Sequence, residues 1–185
     1  MTTKQVAVFL DRDGTIIEDI HYPKDPNQIV LIPHAVEGLK LMREKGYLIF
    51  VISNQSGVGR GIISDEEFKS VHEKFCQLIK AAQVEVEGFG YCLHHPDDRC
   101  FCRKPQIELI PKTFNGQPIL WSESFTVGDK LSDLELADNI GAQGCLVLSG
   151  KGRKTQQDLL NAKRSHQYPI FSDLLSMAKS LPVQA

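Results

Sequence analysis

Two aspartates, Asp11 and Asp13, flank an arginine and precede Gly14-Thr15 directly after the apolar run VAVFL. Carboxylates two residues apart can project to one side where a strand ends. At that separation they repel unless a cation or a proton lies between them. Polar groups also follow two other apolar runs. Ser53-Asn54-Gln55 comes after YLIFVI, and Gly128-Asp129-Lys130-Leu131-Ser132-Asp133 comes after SFTV. If the three runs are neighbouring strands, Asp129 joins Asp11 and Asp13. Three oxygen donors suit Mg²⁺, which keeps several waters and bridges carboxylates to a phosphate. Phosphoryl transfer needs a nucleophile, a metal, a hydroxyl donor and a fixed positive charge. Lys104, in a further loop, can supply the fixed positive charge. An isolated Asp-x-Asp reads as a solvated turn, and the other two loops are what turn it into a candidate site. Gly14 gives the backbone freedom for a turn that brings amides near a phosphate.

Lys104 ends a second unusual stretch. CLHHPDDRCFCRKP, residues 92–105, holds three of the five cysteines. Cys92, His94, Cys100 and Cys102 form Cys-x-His-x5-Cys-x-Cys, a closed tetrahedral set for structural Zn²⁺. A plain loop of reduced thiols remains open on spacing alone. A disulfide framework fits poorly with an odd cysteine count. Zinc would tie the loop into one shape and so fix Arg103 and Lys104. Its part would be positional, because no ligand position stays free. Cys76 lies in a helical run and Cys145 in a strand run, and both read as core residues.

The elements that must position these groups alternate. VAVFL (6–10), YLIFVIS (47–53), GFGYCLH, SFTVG (124–128) and GCLVLS (144–149) read as strands. AVEGLKLMREKG (35–46) and DLELADNIG (133–141) read as helices. Ser64 and Glu67 make a capping-box pattern ahead of Phe68, Val71, Phe75, Leu78 and Ala82 at helical spacing. The polar tail from Lys151 to Tyr168 reads as a solvated loop or surface helix. Such alternation predicts an α/β fold with a mainly parallel sheet, and such sheets place their sites beyond the carboxyl ends of the strands. At 185 residues the chain suits one domain, residues 1–185, with a substantial core. A formal net charge of −2 speaks against a nucleic-acid surface. No apolar run reaches the length of a membrane span or a signal-peptide core. The reading is therefore cytoplasmic, with reduced thiols, and monomeric.

DRDGT, SNQ, RKP and GDKLSD, in this order and spacing, resemble the four motifs of the haloacid dehalogenase superfamily of phosphatases. The match runs from residue 11 to residue 133. The resemblance implies a Rossmann-like parallel sheet flanked by helices. The short gaps between motifs leave no room for a large cap domain. It also implies roles. Asp11 attacks phosphorus, and Asp13 serves as acid and then base. Ser53 and Lys104 bind phosphoryl oxygens. Asp11, the Asp13 backbone carbonyl and Asp129 hold Mg²⁺, and Asp133 supports the metal from behind.

A zinc loop (92–102) that runs into Arg-Lys-Pro resembles one branch of the superfamily, the D-glycero-D-manno-heptose-1,7-bisphosphate 7-phosphatases and the related histidinol-phosphate phosphatases. In that pattern His95 is not a ligand. Gln55-Ser56-Gly57-Val58-Gly59-Arg60-Gly61, Asp129-Lys130 and Ser149-Gly150-Lys151 resemble the heptose enzymes. The five residues between His94 and Cys100 resemble the histidinol-phosphate enzymes. The expectation is a small phosphorylated sugar as substrate, in the making of nucleotide-activated heptose for surface glycans. By the same resemblance Asp19, Ile20, His21 and Tyr22 form one substrate loop, and Ser53, Asn54, Gln55 and Ser56 a second. Arg103 and Lys130 would meet the substrate's remote end. Histidinol-phosphate hydrolysis is the alternative. A phosphotransferase and an inactive zinc-stabilised binding module are further readings, the last disfavoured because Asp11, Asp13, Lys104 and Asp129 are all present.

Overall fold

Strand segments that are apolar at every position bury both faces only in a sheet covered by helices on each side. The computed structural model, which describes residues 4–114, 116 and 118–184, has that architecture. Along the chain run β1 (Ala7–Leu10), α1 (Ala35–Glu44), β2 (Leu48–Asn54), α2 (Ser56–Gly59), α3 (Asp65–Ala81), β3 (Gly88–Cys92), α4 (Leu109–Phe114), β4 (Phe125–Gly128), α5 (Leu131–Ile140), β5 (Gln143–Val147), α6 (Gly152–Asn161), β6 (Ile170–Phe171) and α7 (Leu174–Ser180). The strands form one parallel sheet in the order β3-β2-β1-β4-β5-β6. The chain winds outward from β1 to β3, returns to β4 beside β1, and winds outward the other way. Loops leaving β1 and β4 diverge, so the crevice of a doubly wound sheet lies between their carboxyl ends. The register pairs Leu10 with Val127, and the Asp11 amide donates to the Val127 carbonyl at 2.9 Å. Asp11 and Asp129 therefore leave the sheet side by side.

Alternation along each strand divides the core in two. Val8, Leu10, Ile49 and Val51 face Leu39 and Met42 of α1, Val71 and Phe75 of α3, and Met177 of α7. Ala7, Phe9, Phe50 and Ile52 face Leu109 and Ile110 of α4 and Leu136 of α5. Cys145 is buried as expected, while Cys76 is only half-buried. Between β1 and β2 the helical elements are one 3₁₀ turn and α1, so no separate cap stands over the β1 loop.

The capping box starts α3. The Ser64 hydroxyl accepts from the Glu67 amide, and the Glu67 carboxylate accepts from the Ser64 amide. Along the helix Val71, Phe75 and Ile79 are buried, whereas Phe68, Leu78 and Ala82 are half-buried. We expect Ser64→Ala to cost about 1 kcal/mol of stability, measured by urea unfolding, with activity unchanged because the cap lies outside the site. The basic tail is a surface helix, α6, that turns Thr155 and Leu159 inward. Beyond it α7 packs on α1 and buries Leu174, Met177 and Ala178. No described helix is long and apolar enough to cross a membrane.

Candidate active site

Asp11 ends β1 and is almost fully buried. One carboxylate oxygen lies 2.9 Å from Lys104 Nζ and the other 2.8 Å from Lys130 Nζ. Burial alone would raise its pKa. The two ammonium groups outweigh burial and hold the carboxyl well below its usual range. It is therefore an anion, fixed at both oxygens, at the floor of the crevice. Lys104 arrives from the loop after β3. Its ammonium also lies 2.6 Å from Asp133 Oδ1 and donates to the Ile52 carbonyl at 2.5 Å. Asn54 holds the Lys104 backbone from both sides, its Oδ1 accepting from the amide at 3.0 Å and its Nδ2 donating to the carbonyl at 3.2 Å. Asn54, expected in the second substrate loop, thus also positions Lys104.

The carboxylate of Asp13 turns away from Lys104. Its Oδ2 accepts from Gln55 Nε2 at 2.5 Å and lies 3.5 Å from the Ser53 hydroxyl. Gln55 also donates to Ser53 Oγ at 2.9 Å. Arg12, to which the sequence pattern assigns no role, makes two bonds to the same carboxylate, at 3.0 and 3.1 Å.

A cation site can be read from the oxygens. Asp11, Asp129 and Asp133 bring carboxylate oxygens within 4.8 Å of one another. Lys130 Nζ lies 2.8 Å from Asp11 Oδ2, 3.0 Å from the Asp13 carbonyl and 3.0 Å from Asp129 Oδ1. Three hard oxygens thus converge on one positive charge, and all three belong to the expected Mg²⁺ set. Asp129 Oδ1 meets that ammonium without accepting a hydrogen bond, so it retains a lone pair for a cation. Three buried carboxylates face two ammonium groups. Burial, and then Asp11, push the Asp129 carboxyl up to about 6. A divalent cation relieves such an excess of negative charge. The site has no room for bulk at its floor. Gly14 has φ +89°, and a Cβ there would stand 2.2 Å from Asp129 Oδ2. Lys151 donates its amide to Asp129 Oδ2 at 2.7 Å, and Thr155 donates its hydroxyl to the Asp129 carbonyl at 2.7 Å.

Cys92, His94, Cys100 and Cys102 also converge. Their sulfurs lie 3.2 to 3.6 Å apart, and His94 Nδ1 is 3.1 Å from Cys102 Sγ and 3.7 Å from Cys92 Sγ. A tetrahedral zinc with ordinary Zn–S and Zn–N bonds has edges of roughly 3.5–3.8 Å. The set is compatible with zinc. Burial pushes the Cys92 thiol up to about 12, so a thiolate at Cys92 needs a cation beside it. His95 instead caps the turn at Pro96–Asp98 by accepting from the Asp97 amide.

Above Asp11 and Asp13 opens a cavity of about 240 Å³. Of the residues expected to form the first substrate loop Asp19, His21 and Tyr22 line it, and of those expected in the second Asn54, Gln55 and Ser56. Ile20 and Ser53 are not on its wall. Arg103 lines it, and its Nη1 is buried without a hydrogen-bond partner. Lys130 also lines it, but its ammonium lies on the floor carboxylates rather than at the far end. Lys151 was not singled out as a site residue. Its ammonium pairs with Asp19 at 3.1 Å, which links the β5 loop to the first substrate loop. The signal for it is the polar run after GCLVL, the fifth loop at the same sheet edge.

The chain is 33% identical over 180 residues to the D-glycero-beta-D-manno-heptose-1,7-bisphosphate 7-phosphatase of Neisseria meningitidis, a match covering 93% of this chain and 92% of that one. The chain belongs to the heptose-bisphosphate phosphatase family. The HAD-hydrolase-like family model matches residues 101–177. Among solved structures, the D,D-heptose 1,7-bisphosphate phosphatase of B. bronchiseptica, complexed with magnesium and phosphate, superposes with a TM-score of 0.82 at 27% identity, over 97% of this chain and 98% of that one. The bifunctional histidine biosynthesis protein of Campylobacter jejuni is 29% identical over 89% of this chain, which spans 47% of that protein's length. As a member of the heptose-bisphosphate phosphatase family, the chain is a phosphatase of HAD-like fold.

Proposed function

We propose that the protein is a Mg²⁺-dependent phosphatase that removes the 7-phosphate of D-glycero-D-manno-heptose 1,7-bisphosphate through an aspartyl-phosphate. The observation that carries this reading is the Asp11 carboxylate. It is ionised, buried and held by Lys104 and Lys130, with the second carboxylate, Asp13, beside it at the cavity floor. An Asp11 oxygen attacks phosphorus as the bond to the sugar oxygen breaks. Asp13 delivers its proton to that departing oxygen. Asp13 then takes a proton from water as the water oxygen attacks phosphorus, and the Asp11–phosphorus bond breaks to release inorganic phosphate. Lys104 and Ser53 stabilise the phosphoryl oxygens. Asp11, the Asp13 carbonyl and Asp129, with Asp133 behind, would hold Mg²⁺, which would supply charge neutralisation at the transferring group. Cys92, His94, Cys100 and Cys102 would hold Zn²⁺, whose part would be to keep Arg103 and Lys104 in place.

The substrate's second phosphate suits Arg103, whose buried Nη1 lacks a partner. Asp19, His21, Tyr22, Asn54, Gln55 and Ser56 form the sugar walls, Ile20 carries the first loop between them, and Lys130 lies within reach of phosphate oxygens. Histidinol phosphate is the second reading, supported by the histidine-biosynthesis relative and the short spacing from His94 to Cys100. Its amine calls for a free carboxylate in the cavity wall. Asp19 is paired with Lys151 instead, which supports the bisphosphate. On this reading residues 1–185 form a single domain acting as a monomer on a small ester. A reduced thiol set is consistent with the cytoplasm.

The test is kcat/KM for phosphate release from heptose 1,7-bisphosphate and from histidinol phosphate. We expect a heptose preference of about a hundredfold, or about 2.7 kcal/mol. A preference for histidinol phosphate overturns the assignment. Arg103→Ala should lower kcat/KM for the bisphosphate about 10- to 100-fold, the worth of a charged hydrogen bond. The same change should leave a sugar monophosphate nearly unaffected.

A further inference from the structure

Among the described residues Arg12 is the largest fully buried side chain, with no solvent exposure. A guanidinium loses much hydration on burial, so it needs a compensating partner. Its partner is Asp13. Nε donates to Oδ2 at 3.1 Å and Nη2 to Oδ1 at 3.0 Å. This two-point fork fixes the plane of the carboxylate as well as its position. The guanidinium is itself located from behind. Its carbon lies 5.7 Å from the centroid of the Tyr91 ring. The Tyr91 hydroxyl lies 3.0 Å from His72 Nδ1 on α3. Thus β1, β3 and α3 together fix Arg12, and Arg12 with Gln55 fixes Asp13. Arg12 does not line the cavity, so it does not meet substrate.

We propose that Arg12 is a positioning residue for proton transfer. It holds the Asp13 carboxyl in the plane from which its proton reaches the departing oxygen. The proposal rests on the acid role read for Asp13 above. The balance of the step is unchanged. The proton leaves Asp13, the departing oxygen gains it, and Arg12 neither gives nor takes one.

The leaving group separates this role from a purely structural one. A primary alkyl phosphate releases a strongly basic oxygen that needs the proton. 4-Nitrophenyl phosphate releases a stable phenolate that does not. The constant kcat/KM reports only the steps up to departure of that group, so slow dephosphorylation does not mask the effect. We expect Asp13→Asn and Arg12→Gln to lower kcat/KM for an alkyl phosphate about 100-fold or more, within the range of general acid catalysis. Neither should lower the nitrophenyl value more than about threefold. Arg12→Lys keeps the charge without the fork and should fall in between. Tyr91→Leu removes the support behind Arg12 and should show the same selectivity more weakly. These two variants carry the test if Arg12→Gln does not fold. An equal loss on both substrates in the Arg12 and Tyr91 variants, or no loss, overturns the proposal. If Asp13→Asn itself shows no selectivity, the acid role of Asp13 fails and the proposal falls with it.

Discussion

Asp11→Asn abolishes turnover, by about 10⁴-fold or more, the scale seen when a covalent nucleophile is removed. An amide of the same shape cannot form the acyl phosphate. The fold should survive the change. Lys104 keeps Asp133 at 2.6 Å, and Lys130 keeps Asp129 at 3.0 Å, so neither ammonium is left unpaired. That matters, because stripping one partner from a buried ion pair otherwise costs about 3–5 kcal/mol. The measurement has two parts. Phosphate release is followed over hours, and acid quench of the working enzyme looks for phosphate bound to protein. The wild type should trap a phosphoryl group that the variant does not. Residual activity within tenfold of wild type would remove Asp11 from the role of nucleophile.

Removal of zinc should have the second largest effect. Structural zinc sites contribute about 10–16 kcal/mol of binding energy in small domains at neutral pH. Here part of that energy would close the loop from the end of β3 to Lys104. If about 3 kcal/mol of it stabilises the native state, chelation lowers Tm by about 6–12 °C for a chain of this size. Lys104 keeps its Asn54 clamp, so the sheet and the floor of the site persist. Arg103 loses its anchor. We expect about one zinc per chain by elemental analysis. Stripping it should lower kcat/KM for the bisphosphate tenfold or more, with recovery on zinc addition. Unchanged stability and activity after complete stripping would leave the four residues a plain loop.

The two metal-binding sets differ in how far the sequence reveals them. Cys92, His94, Cys100 and Cys102 lie within eleven residues, so local chain geometry alone brings them together. Asp11 and Asp129 are far apart in sequence. They could be joined only by assuming that VAVFL and SFTV are adjacent strands. The parallel register of Leu10 with Val127 meets that condition. Strands and helices with long apolar runs were readable for the same reason, because burial on both faces leaves a continuous pattern. The two-residue β6 and the short α4 and α7 were not. Their apolar residues are few, and tertiary contacts hold them, β6 on β5, α4 on β3 and α7 on α1.

By itself the sequence determined the chemistry. An acidic pair and a hydroxyl at strand ends, with a lysine in the loop after a third strand, suit phosphoryl transfer, because residue type and spacing limit which atoms can react. Their order and spacing resemble the motifs of one phosphatase superfamily. Only the tertiary structure decided how the charges pair. Asp11 is shared between Lys104 and Lys130, the Lys130 ammonium lies on the metal donors, Lys151 ties Asp19, and Arg12 is buried against Asp13. Each of these depends on where a long side chain finds its opposite charge once water is excluded. Such pairing is set by burial and direction in three dimensions, which spacing along the chain does not encode.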